Sequence, residues 1–80
     1  DIYPNPSESG QVNVDMNTEE EGDWTISLLD LTGREIATEQ RTITTGASKQ
    51  SFTFDSHLTG IYILRMENGA TRIYKEVVFK

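Results

Sequence analysis

Residues 61–79, "IYILRMENGATRIYKEVVF", decide how this chain reads. Asn68-Gly69 is its strongest hairpin signal, because both residues tolerate the positive φ angles of a type I′ turn. The spacing predicts that a strand from Ile61 to Glu67 pairs antiparallel with a final strand from Thr71 to Phe79. The first strand is entered through "LTG", residues 58–60, and then runs Ile61, Tyr62, Ile63, Leu64 with no polar interruption. A strand apolar on both faces belongs in the middle of a sheet. An opposing sheet covers one face, and a loop, a partner or nothing covers the other.

Upstream, "SFTF" at 51–54 is a short strand with Phe52 and Phe54 on one face, entered from "TTGASKQ" at 44–50, which reads as loop, and left through "DSHLTG". Residues 34–44 are rich in threonine, with Ile36 and Ile43 as the anchors of one or two edge strands. Trp24, Ile26 and Leu28 alternate with Thr25 and Ser27, and Val12, Val14 and Met16 alternate with Asn13 and Asp15. Both are the period-two signature of half-buried strands. Turns at "TEEEGD" and at Asp30-Leu31-Thr32-Gly33 separate them, so this part reads as a meander. Gly33 supplies the positive φ that closes the second turn, and the Asp30 side chain caps it. About seven short strands with a turn signal roughly every 8 to 12 residues, and no helical periodicity, predict an all-β fold: an immunoglobulin-like antiparallel β-sandwich.

A chain of 80 residues makes one domain, 1–80, able to bury only roughly 60% of its unfolded surface. There is no cysteine, so no disulfide, thiolate nucleophile or cysteine-based zinc site supports it, and stability rests on sheet packing. The net charge is −6, with Glu19, Glu20, Glu21 and Asp23 close together, which repels nucleic acid. The four-residue apolar run falls far short of the roughly 20 residues of a membrane span. The chain opens Asp-Ile-Tyr, without an initiator methionine or a leader, and reads as a piece of a larger protein.

Groups able to do chemistry are sparse. Asp55, Ser56 and the lone His57 stand side by side, but neighbouring extended residues point to opposite faces and triads assemble from distant segments, so an exposed turn is the better reading. "EEEGD" lacks the alternating ligand spacing of a calcium loop, and the six glycines are scattered singly at turns rather than gathered into a phosphate cradle. No cofactor and no metal is expected, and the chain does not read as an enzyme. "YPNP" at 3–6 is a stiff extended lead-in that cannot pair as a central strand. Arg34, Arg65 and Lys75 are not required by packing; each reads as solvated.

Five segments in order carry a family resemblance: "YPNP", "VNV", "LLDLTGRE", "LTGIYILR" and "YKEVVFK". Over essentially its whole length the chain resembles the C-terminal sorting domain of type IX secretion cargo, type A. The resemblance implies a module at the C-terminal end of an exported protein. Such a module passes through the periplasm, is recognised by an outer-membrane translocon with its shuttle components, and is cut off by a sortase-like signal peptidase. The N-terminal cargo, in cis, is left on the cell surface or released. The family's motifs fall on Tyr3, Pro4, Asn5 and Pro6; on Asp30, Thr32, Gly33 and Arg34; on Gly60, Tyr62, Leu64 and Arg65; and on Lys75, Val77, Val78 and Lys80. Translocon recognition is expected of these, with the terminal strand open to β-augmentation and, by the same edge, to dimerisation. A different class of function is an accessory sandwich that binds cell-surface carbohydrate or protein. It would need exposed aromatics, and the alternation around Trp24 sends that ring to the core.

Overall fold

The computed structural model describes residues 2–3, 9–19, 21–55 and 57–80. They form β1 (Ile2–Tyr3), β2 (Gln11–Thr18), β3 (Gly22–Leu29), β4 (Glu35–Ile43), β5 (Gly46–Thr53), β6 (Gly60–Glu67) and β7 (Arg72–Phe79). Two sheets result, a three-stranded one in the order β1-β2-β5 and a four-stranded one in the order β4-β3-β6-β7, with every pair antiparallel. This is the predicted β-sandwich. β6 lies between β3 and β7, as a strand apolar on both faces requires, and β7 forms one border of its sheet.

The connections depart from a meander. β2 pairs along its whole length with β5, from Gln11 opposite Thr53 to Thr18 opposite Gly46, and not with β3. The chain changes sheet after β2, after β4 and after β5. Residues 46–50, read as loop, are therefore the first half of β5. Their side chains are small or polar and carry no apolar alternation, so only the pairing with β2 makes them a strand. Ile36, expected like Ile43 to anchor an edge strand, is 36% exposed while Ile43 is 1% exposed. Alternation explains the difference: Ala37, Glu39, Arg41 and Ile43 share the core-facing side of β4, so Ile36 points the other way. It is also the residue skipped in a β-bulge, where Leu28 faces Ala37 and Leu29 faces Glu35.

The β6–β7 turn also differs from type I′. Gly69 has φ +93° and no non-glycine residue described has a positive φ, so Asn68 stays in ordinary space. Glu67 pairs with Arg72, and the Asn68 N–H donates to the Thr71 carbonyl, placing Gly69 and Ala70 at the tip. Asn68 acts through its side chain instead, its Oδ1 accepting from the N–H groups of Ala70 (3.1 Å) and Thr71 (2.8 Å).

Between the sheets, Val12, Val14, Met16 and Phe52 from one meet Trp24, Ile26, Leu28, Leu64, Met66 and Val77 from the other. Both borders of the four-stranded sheet carry charges on the core-facing side, a device that discourages edge-to-edge association. On β4 it is Arg41, opposite Trp24. Its Nη1 donates to the Ser51 carbonyl (2.8 Å), its Nη2 meets Glu39 (2.7 Å), and its guanidinium lies 4.2 Å from the Phe52 ring centroid. That closes the seam between β4 and β5. On β7 the inward charge is Lys75, opposite Leu64, and the seam it borders stays open as a groove of about 440 Å³ against β2.

At the mouth of the sandwich Gly10 is buried with φ +85°, and a Cβ there would stand 2.5 Å from the Phe54 carbonyl oxygen. The Phe54 N–H donates to the Gly10 carbonyl (2.9 Å), so only glycine allows this close approach of two chain segments.

Candidate functional site

The turn at 30–34 is built around one carboxylate. Asp30 Oδ1 accepts from the Thr32 N–H (2.9 Å), the Thr32 hydroxyl (2.6 Å) and the Arg34 N–H (2.9 Å), while its Oδ2 lies 3.2 Å from Arg34 Nε. Backbone bonds from Asp30 N to Arg34 O and from Gly33 N to Asp30 O complete the loop, and Gly33 takes φ +91°. The expected capping role of Asp30 is thus present. Four of the motif residues, Asp30, Thr32, Gly33 and Arg34, form one rigid knuckle, with Leu31 68% exposed at its tip.

The Thr32 hydroxyl bond, joined by the two backbone N–H groups and the charge of Arg34, holds the Asp30 carboxyl below its ordinary value of 3.8, against some desolvation. A depressed folded-state pKa contributes stability that is whole above the ordinary carboxylate range and is lost as pH falls through the folded value. Asp30→Asn should therefore lower the melting temperature at pH 6 and make it depend less on pH between 5 and about 2.5 than the unaltered chain. Thermal scans across that window check it, and parallel pH profiles would refute the assignment.

The knuckle does not stand alone. β3 ends at Leu29 opposite Ile63, Ile61 pairs with Val78, and Gly60 pairs with Phe79. The 30–34 turn, the start of β6 and the end of β7 therefore leave the same end of the four-stranded sheet, with Lys80 exposed beside them. Segments far apart in sequence are joined here by register.

Within this arrangement the expected residues divide by face. Leu64 (0% exposed) and Val77 (0%) belong to the core, and Tyr62 packs against it, its ring 5.5 Å edge-on from Phe79. Gly60, at φ +100°, opens β6. Arg65 and Val78 lie on the outer face, with Ile61 (46% exposed), read in the sequence only as part of the apolar run, and Tyr74 (52%), which sequence reasoning did not mark. Leu29 and Ile63 complete the apolar part of that face. Their signal was the second apolar face of β6, which says that something lies outside the sandwich without saying which neighbours share it.

Arg65 is not solvated, contrary to its sequence reading. It sits within β6 with its side chain only 25% exposed, and its Nη2 donates to Ser27 Oγ (3.4 Å), which in turn lies 3.4 Å from Thr38 Oγ1. Ser27 is 1% exposed, so Arg65 roofs a buried hydroxyl on the outward side of β3. Its Nε is buried without a hydrogen-bond partner among the described residues; Glu67 stands 3.7 Å away and is shared with Arg72 at 2.9 Å. Arg34 is exposed (77%) but paired with Asp30. Lys75 is exposed on the core-facing side of β7, at the lip of the groove. Tyr3 is half-buried and fastens β1 to β2 through its hydroxyl, which donates to Asp15 Oδ1 (3.1 Å). Pro4, Asn5 and Pro6 lie outside the described residues.

No group of three potential metal ligands occurs among the described residues. His57 is exposed, and its backbone N–H donates to Asp55 Oδ1 (2.8 Å), which makes Asp55 a turn cap. Trp24 is 2% exposed and offers no platform for a sugar. What the outer face can do chemically is bind: an apolar centre, an ordered arginine and the cations Arg34 and Lys80 at one end suit a protein surface.

A family model described as the secretion system C-terminal sorting domain matches residues 1–80. No curated protein and no solved structure matches the chain.

Proposed function

This chain belongs to the family of type IX secretion system C-terminal sorting domains, and from that premise we propose that it is a non-catalytic address label recognised by the outer-membrane translocon. Membership marks a protein for export to the cell surface or the medium. The finer reading is that residues 1–80 form one module fused behind a cargo that has crossed the periplasm. The translocon and its shuttle components dock the end of the four-stranded sheet, and a sortase-like peptidase then removes the module.

The observation that carries this reading is the convergence of the 30–34 turn, the start of β6 at Gly60 and the end of β7 at Phe79 and Lys80 at one end of one sheet, with Arg65 and Lys75 farther along β6 and the border strand β7. Main-chain groups along such a border can pair with a receptor strand whatever the cargo, which suits a label that must serve without reference to its passenger. Arg34 and Lys80 would add charge-assisted contacts at the same end.

The test is a fluorescent protein with an export signal, followed by residues 1–80, expressed in hosts with and without the translocon. Fluorescence at the surface or in the medium is expected only with the translocon. Retention in the periplasm of both hosts would end the sorting reading and leave an accessory binding module.

A further inference from the structure

We propose that the groove between β2 and β7 seats the chain segment that immediately precedes Asp1 in the parent protein, held as a continuation of β1. The inference rests on the reading of this chain as a module fused behind a cargo. Four observations carry it. β1 covers only Asn13 and Val14, and beyond them no described strand lies on that side of β2, although β5 pairs with β2 along its whole length. The border at Asp15, Met16 and Asn17 is the wall of the groove, and Lys75 on β7 is the opposite wall. The Lys75 ammonium has no hydrogen-bond or ion-pair partner among the described residues. Trp24, which also lines the groove, has its indole Nε1 buried without an acceptor among the described residues. A buried donor left unpaired is costly, so it points to an acceptor that arrives with an occupant.

Strand direction identifies the occupant. Ile2 faces Val14 and Tyr3 faces Asn13, so each step back along β1 is one step forward along β2. The chain before Asp1 is thereby aimed along Asp15 to Asn17 without any change of course. The first residue preceding Asp1 falls opposite Met16, on the core-facing side, where an apolar side chain fits between Met16 and Met66. The second falls opposite Asn17, on the outer side. β1, lengthened in this way, closes this seam with backbone carbonyls offered to its donors, as Arg41 closes the other seam by donating to Ser51 O.

Because the chain contains no cysteine, register can be read by cross-linking in the whole parent protein. Asn17→Cys paired with a cysteine at the second residue preceding Asp1 should oxidise to an intramolecular disulfide. The pair offset by one, with cysteine at the first preceding residue, should react at least about tenfold more slowly, since its side chain points to the other face. In the same parent protein the amides of Asp15 to Asn17 and the Trp24 indole N–H should exchange as slowly as those of β3. Equal rates for the two cysteine pairs, failure of both, or fast exchange at those amides overturns the proposal. So does protection that appears only when translocon components are added, which would hand the groove to a partner's strand. Neither readout involves transport, so failure here leaves the sorting reading standing, and a translocon-independent fusion would sink that reading without altering the cross-link.

Discussion

A fluorescent fusion carrying Ile61→Lys and Val78→Glu is expected to stay behind the outer membrane while the unaltered fusion reaches the medium. The two residues are cross-strand partners on the outer face of the four-stranded sheet, beside the 30–34 knuckle. Ile61 is 46% exposed, so little core is lost. The opposite charges placed face to face return roughly 0.2–1 kcal/mol, and the melting temperature should move by no more than a few degrees. The apolar centre of the proposed docking face disappears all the same. If that centre is where binding energy concentrates, about 2 kcal/mol or more is lost, and export should fall at least about tenfold. Deleting residues 77–80 should abolish export as well, but that deletion removes Val77 and Phe79, 0% and 2% exposed, and unfolding alone would explain the loss. The paired surface variant separates the causes. Export at the unaltered level from a folded Ile61→Lys, Val78→Glu fusion would show that the translocon does not read this face.

The sandwich was legible in the sequence because its core strands obey period two. Val12, Val14 and Met16, Trp24, Ile26 and Leu28, and the apolar run from Ile61 to Leu64 all point where alternation sends them. What alternation cannot carry is partnership. Nothing in Gly46 to Gln50 marks a strand, since its order comes from β2, which is 28 or more residues away in sequence at every paired position. The same blindness joined β2 to β3 in a meander, and treating Ile36 and Ile43 alike as anchors overlooked that the odd spacing between them places their side chains on opposite faces of one strand. Of the motif residues, Asp30 and Gly33 could be assigned their turn roles from local chemistry. Arg65 could not, because the hydroxyl that orders it belongs to Ser27, on the neighbouring strand.

Phe52→Ala is expected to be the most damaging single truncation in the molecule. The ring is 1% exposed and begins an aromatic series that crosses between the sheets: Phe52 to Phe54 at 6.4 Å, Phe54 to Phe79 at 6.0 Å, Phe79 to Tyr62 at 5.5 Å. Arg41 rests on its outer side at 4.2 Å. Removing the ring leaves a void under an arginine that cannot follow it, since its Nη1 is fixed to the Ser51 carbonyl. The transfer and cavity terms together come to about 3–5 kcal/mol, and the lost cation–π contact adds roughly 0.5–1 kcal/mol. A domain of this length has about 4–12 kcal/mol in total, so the variant should lose a third or more of its stability and melt at least about 12 °C lower. Arg41→Met keeps an apolar stem over the ring but gives up the polar contacts and the cation–π contact, so it should cost about 1.5–2 kcal/mol. Urea unfolding of both variants decides between ring and cation as what holds this seam. If Arg41→Met costs as much as Phe52→Ala, the seam is held by the arginine bridge, and the aromatic series fills space without carrying the two layers.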